Sequence, residues 1–196
     1  MTYAVITGCS HTAGAGIDIN DCYVSLIQQH YGFPIKNWAV PGGGCIDVLK
    51  KVADAVRDPV PPKFIVAQWP NVFRKPLWIK EKRNLQNIHF CEESFMMLLK
   101  HSEKNFYEPW MQSVELANLL CQLAHVPLIN IMLENLDQPY MDQLRVAHIE
   151  LHVDEKLPGR TWFFDSKARD NLHHSSWCHR AWADRLIGII DATATR

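Results

Sequence analysis

Five short apolar runs, each followed by a turn signal and most by an amphipathic stretch, set the rhythm of this chain. Residues 3–7, Tyr3-Ala4-Val5-Ile6-Thr7, are apolar and β-branched and stop at Gly8, which predicts a buried strand and a turn. A loop rich in small residues follows, and Asp18 or Asp21 stands where it can cap a helix bearing Cys22, Tyr23, Leu26, Ile27 and Tyr31 on one face before Gly32 and Pro34 end it. Residues 35–40 read as a second strand, Pro41-Gly42-Gly43-Gly44 as a turn, and 46–57 as a helix. Phe64-Ile65-Val66-Ala67 is a continuous apolar run suited to the middle of a parallel sheet. Further strands are expected over 127–132 and 161–164. Helices are expected over 92–100 and 109–125, with a break between them near 105–109, in a piece around 140–149, and over 176–190 with Trp182, Leu186 and Ile189 facing inward.

Strand and helix alternate throughout. That order implies an α/β fold with a parallel sheet covered on both faces. Right-handed crossovers then put every strand-to-helix loop on one edge of the sheet, beyond the carboxyl ends of the strands. Ser10, Gly42, Asn71 and His173 each lie shortly after an expected strand, so four polar features far apart in sequence are expected on a single edge.

The 196 residues suffice for one domain spanning 1–196 with a sizeable core. The stretch 68–91 interrupts the rhythm; it sets Arg74, Lys75, Lys80, Lys82 and Arg83 among aromatic residues and reads as an insertion-like excursion of irregular or short local structure, a candidate lid. Opposite charges nearly cancel, 20 Lys+Arg against 21 Asp+Glu, so there is no overall pull toward nucleic acid or an anionic membrane. The six cysteines form no C-x-x-C pair. They are expected to be reduced, and with no leader-like start and no apolar run long enough to cross a bilayer, the expected location is cytoplasmic.

The chemistry concentrates in Asp170-Asn171-Leu172-His173, an acid three residues before a histidine and just ahead of a helical pattern. Such an acid orients an imidazole, and the imidazole is then a general base in need of a nucleophile. Ser10, in Gly8-Cys9-Ser10-His11-Thr12 at the other end of the chain, is the candidate. A serine hydroxyl attacks a carbonyl only when a base removes its proton, and the oxyanion that forms requires preorganised donors. The Ser10 and Gly42 amides and the Asn71 side chain are the three expected donors.

These segments together resemble the SGNH hydrolase (GDSL-like esterase/lipase) superfamily. Gly8-Cys9-Ser10-His11-Thr12 resembles the block around the nucleophile, Asn37-Trp38-Ala39-Val40-Pro41-Gly42 the second block, Gln68-Trp69-Pro70-Asn71 the third, and Asp170-Asn171-Leu172-His173-His174-Ser175 the last, with His179 matching a histidine common a few residues later. The resemblance implies a three-layer α/β/α sandwich with a five-stranded parallel sheet in the order 2-1-3-4-5, and a serine esterase with the triad Ser10, Asp170 and His173. The chain departs from the pattern at Cys9, Trp69, Val72 and His174, where the family carries aspartate, glycine, aspartate and proline. Trp69 is expected to crowd the acyl pocket, with His11 and His174 as further pocket candidates.

No cofactor or metal is expected. His11, His173, His174 and His179 invite a metal reading, but no carboxylate completes a familiar ligand spacing. His148 and His152, one helical turn apart, read as a solvated face, and Cys9 as a buried packing residue. The expected partner is a small-molecule or carbohydrate ester, and no nucleic acid. A catalytically silent module of the same fold, binding a glycan or a protein, is the competing reading; nucleic-acid association through the basic excursion is a third.

Overall fold

The computed structural model describes residues 2–72, 74–79, 84–89, 104–132, 144, 146–150 and 173–194. Strands β1 (Ala4–Thr7), β2 (Ile35–Asn37) and β3 (Ile65–Trp69) pair in parallel, with β1 between the other two. Strands β4 (Arg74–Ile79) and β5 (Asn84–His89) form a separate antiparallel pair. Strands β6 (Leu128–Met132) and β7 (His148–Glu150) extend the main sheet beyond β3, giving the order β2-β1-β3-β6-β7, parallel throughout. Counted along the main sheet alone, this is the expected 2-1-3-4-5.

Alternation along the central strands divides the core into two layers. Val5, Ile65, Ala67, Trp69 and Met132 pack with α3 (Cys45–Val56) and α4 (Lys104–Leu123), through Val48, Val52, Tyr107, Trp110, Val114 and Cys121. Ala4, Ile6, Val66, Ile129 and Ile131 pack on the other face with α2 (Tyr23–Tyr31) and α5 (Ser176–Ala194), through Tyr23, Ile27, Cys178, Trp182, Leu186 and Ile190. The first and last helices of the core thus lie side by side on one face of the sheet. Tyr31 on α2 fastens them at the far end, donating its phenol to Asp191 at 2.8 Å.

Several elements differ from expectation. Gln68 and Trp69 belong to β3, in register with Ile131 and Met132, so the excursion begins after them. Its core is the β4–β5 hairpin, where irregular or short local structure was expected without a strand pair being named. Pro76 argues against a strand in the sequence, but both strands of a two-stranded pair are edges, where a missing N–H can face outward. Helix α4 runs through Pro109 instead of breaking there. Burial of Phe106, Tyr107 and Trp110 on either side holds the helix across the proline, whose carbonyl accepts a 2.7 Å hydrogen bond from Ser113 Oγ. Residues 148–150 are strand, not the end of a helical piece, because β6 offers Asn130–Met132 as a parallel partner; His148 is accordingly no part of a helical face. The expected helix over 92–100 and strand over 161–164, together with Cys91, His152 and Asp170, lie outside the described residues. The five described cysteines, Cys9, Cys22, Cys45, Cys121 and Cys178, are free thiols. Among the described residues no helix is long and apolar enough to cross a membrane.

Candidate active site

The turn after β1 is built by packing. A Cβ on Gly8 would run into Thr12 Oγ1 and lie 2.6 Å from Gln68 Oε1, so the position admits only glycine. Cys9 remains extended and caps a single helical turn, α1 (Ser10–Ala13), which Gly14 closes at φ +78°. Cys9 is 2 % exposed, in keeping with the expected packing role, and Ser10 is 8 % exposed at the first position of that turn. Three side chains bind the turn to its surroundings. Gln68 Oε1 on β3 accepts from the Cys9 amide at 2.9 Å and from Thr12 Oγ1 at 3.0 Å. Tyr23 on α2 meets Thr12 Oγ1 at 2.8 Å. Asn37, at the end of β2, donates through Nδ2 to the Thr12 carbonyl at 2.9 Å.

The second block runs alongside this turn. The Trp38 amide donates to Ile6 O and the Val40 amide to Gly8 O, both at 2.9 Å, which carries the β1–β2 alignment past the end of β2. Val40 O then accepts from the Gly43 amide at 2.7 Å. With proline at its second position and Gly42 at φ +74° in its third, this is a type II turn, which requires a residue tolerant of positive φ at Gly42. Gly42 is exposed, two residues beyond the contact with Gly8. The third block leaves β3 with both flanks held: Trp69 Nε1 donates to Asn130 Oδ1 and Trp110 Nε1 to Pro70 O, each at 2.9 Å. Asn71 follows, half-buried. Trp69, expected to crowd a pocket, is 2 % exposed within the α3–α4 layer and presents almost no surface to a ligand.

The two ends of the chain meet here. The His173 ring lies 5.0 Å from the His11 ring, edge-on, and the His174 ring lies 4.9 Å from it. Trp182 on α5 backs the group, 4.9 Å from His174 and 6.4 Å from His11. His173 is thereby brought beside the residue that follows Ser10. Among the described residues, no group of three or more His, Cys, Asp or Glu side chains is arranged to hold a metal ion.

His179 does a different job from the histidines before it. It is fully buried, and its Nδ1 accepts from the Tyr23 amide at 3.2 Å, joining α5 to the start of α2. Burial pushes its pKa down to about 3, and the nearby His174 and His173 add to the shift. An unfolded imidazole takes up a proton near pH ~6.5, which the folded one refuses until far lower. Stability is therefore full above that pH and is lost as the pH falls, at up to about 1.4 kcal/mol per pH unit. His179→Asn, which retains an acceptor for the Tyr23 amide, is expected to flatten this acid limb; urea unfolding of both proteins across a pH series measures it.

The residues that sequence reasoning missed are Gln68, Asn37, Thr12 and Tyr23. Gln68 had a signal, as a polar side chain inside the run Ile65-Val66-Ala67-Gln68-Trp69.

No family model and no curated protein sequence matches the chain. Solved structures do. The crystal structure of TesA superposes with a TM-score of 0.62 at 10 % identity, over 95 % of this chain and 97 % of that one. The psychrotrophic esterase EstA from Pseudoalteromonas sp., inhibited by monoethylphosphonate, gives 0.62 at 10 % identity, with 100 % of both chains covered. A carbohydrate esterase family 2 enzyme from Corynascus thermopiles (Myceliophthora fergusii), which carries a carbohydrate-binding domain, gives 0.60 at 12 % identity, over 99 % of this chain and 66 % of that one. The chain has the SGNH-hydrolase fold. In that fold the Ser10, Gly42 and Asn71 segments leave neighbouring strands β1, β2 and β3 at one edge of the sheet, and His173 arrives there ahead of α5.

Proposed function

We propose that the protein is a serine esterase acting through an acyl-serine intermediate. Ser10 Oγ attacks the ester carbonyl while His173 takes its proton. The tetrahedral oxyanion is held by the Ser10 and Gly42 amides and the Asn71 amide group, and collapse expels the alcohol with the proton returned from His173. Water, activated by the same imidazole, then releases the acid and restores Ser10. Asp170 is assigned the orienting role from its place three residues before His173. The observation carrying the reading is the meeting of the chain ends, with His173 brought against His11 next to Ser10.

A small acyl group such as acetyl on a carbohydrate is the proposed substrate class. Its support is the likeness to a carbohydrate esterase. A fluorophosphonate probe tests the reaction class. A competent Ser10 is expected to be labelled stoichiometrically, with the adduct on the peptide containing Ser10. An unlabelled, folded protein would instead favour a silent binding module.

A further inference from the structure

Gln68 sits in the middle of the sheet with 1 % of its surface exposed; its amide oxygen accepts two hydrogen bonds and its amide nitrogen donates one. Alternation along β3 sends Ile65, Ala67 and Trp69 into the α3–α4 layer, and Phe64 and Val66 to the opposite face. Gln68 follows Val66 by two residues and so faces the side on which α1 and α2 lie. Its orientation admits no flip. The Cys9 amide can only donate, and it meets Oε1 at 2.9 Å; the Trp69 carbonyl can only accept, and it meets Nε2 at 2.8 Å. Since Oε1 also only accepts, the Thr12 hydroxyl donates to it, and the Tyr23 phenol must then donate to Thr12 Oγ1. Burial holds the Tyr23 phenol protonated, with its pKa well above the ordinary value, so this donor persists. The hydrogen bonds thus run in one direction, from Tyr23 through Thr12 to Gln68, and Cys9 closes them from the other side.

We propose that Gln68 is a positioning residue for the nucleophile: its side-chain carbonyl captures the Cys9 amide and the Thr12 hydroxyl, the residues flanking Ser10 and His11, and fixes the one-turn helix that presents the Ser10 hydroxyl and amide. The proposal rests on Ser10 being the nucleophile. Gln68 itself touches no substrate. It acts because misplacing a reacting group by about 1 Å costs roughly 100-fold in rate, and because among the described side chains it is the one that holds the turn on both sides of Ser10, at Cys9 and at Thr12.

Two variants test it, assayed by turnover of an aryl acetate and by the rate of fluorophosphonate labelling, alongside thermal unfolding. Gln68→Leu removes the acceptor. Its expected result is a fall of about 100-fold in kcat and in labelling rate, with KM within about twofold of the wild type. Gln68→Glu separates positioning from mere filling of the sheet. A buried carboxyl has a raised pKa and remains protonated at neutral pH, isosteric with the amide and able to donate to the Trp69 carbonyl. Once ionised, it sets an oxygen against that carbonyl. The glutamate variant is therefore expected to work near the wild-type rate at neutral pH and to lose kcat as the pH rises, while still folded at the assay temperature and while the wild type shows no matching loss. If the leucine variant fails to fold, the glutamate profile decides. A glutamate profile superimposed on that of the wild type, or a folded leucine variant with wild-type kcat, overturns the proposal alone. A wild type that neither turns over ester nor is labelled removes the esterase reading and this proposal together.

Discussion

Ser10→Ala is expected to abolish ester turnover while leaving the fold in place. Removing the nucleophile of an acyl-serine mechanism costs about 10⁴- to 10⁶-fold in kcat, and what persists comes from the oxyanion donors and binding alone. The structural cost is small. Ser10 begins α1 but does not cap it; the N-cap is Cys9, and the turn is held through Cys9 and Thr12, not through the Ser10 side chain. Alanine is also a good helix residue. The variant should therefore match the wild type in thermal unfolding and differ from it only in aryl acetate hydrolysis and fluorophosphonate labelling. Turnover undiminished in the alanine variant would remove Ser10 from the reaction.

Gly8→Ala is expected to be the most damaging single methyl group in the described part of the chain. The new Cβ would overlap Thr12 Oγ1 and approach Gln68 Oε1 to 2.6 Å and Gln68 Cβ to 2.8 Å. It displaces the one side chain that binds both the Cys9 amide and the Thr12 hydroxyl. Overpacking costs about 1–3 kcal/mol by itself, and a buried acceptor pulled off its donors adds about 1–3 kcal/mol more. For a chain of this size the sum corresponds to a melting temperature lower by on the order of 10 °C. Gly188→Ala is the internal comparison: it lies in α5 with nothing within 4 Å of a Cβ, so it should gain up to about 1 kcal/mol from helix propensity. Thermal melts of the two variants ought to move in opposite directions; equal melts would show that the Gly8 turn relaxes freely.

How legible the fold was depends on what each element needs. The strands of the sheet's middle are bounded by what they bury, and Val5, Ile6, Ile65, Val66 and Ile131 are all inaccessible to solvent. Their continuous apolar character appears in the sequence because both faces of a parallel strand are covered. Helices α2, α3 and α5 were equally legible, since each carries one apolar face against the sheet. Legibility failed where a neighbour supplied the reason. His148–Glu150 is a strand because β6 has an open edge beside it, and three residues carry no periodicity of their own. Pro109 stays inside α4 because Phe106, Tyr107 and Trp110 are buried around it, and propensity is a weak prior against such packing. The hairpin at Arg74–Ile79 and Asn84–His89 pairs its two strands with each other and not with the main sheet, so the rhythm of the buried strands does not announce it.

The site divides in the same way. Residue order along the chain was enough to expect the Ser10, Gly42 and Asn71 segments at one edge, because strand-to-helix loops in a parallel sheet share an edge whatever their length. Residue identity was not enough for Gln68, for the histidine group or for Trp69. Gln68 matters through two donors on α1 and its N-cap, Cys9 and Thr12, and through the Tyr23 phenol on α2 behind Thr12, none adjacent to it in sequence. His11, His173 and His174 become one group only when α5 packs beside α2, and Trp69 leaves the pocket for the core because Asn130 takes its indole N–H. The sequence determined which side chains arrive at the rim of the sheet, since covalent order and strand alternation dictate that much. The tertiary structure decided which of them touch and which are withdrawn, because hydrogen bonds and close packing act across space between segments that share no local pattern.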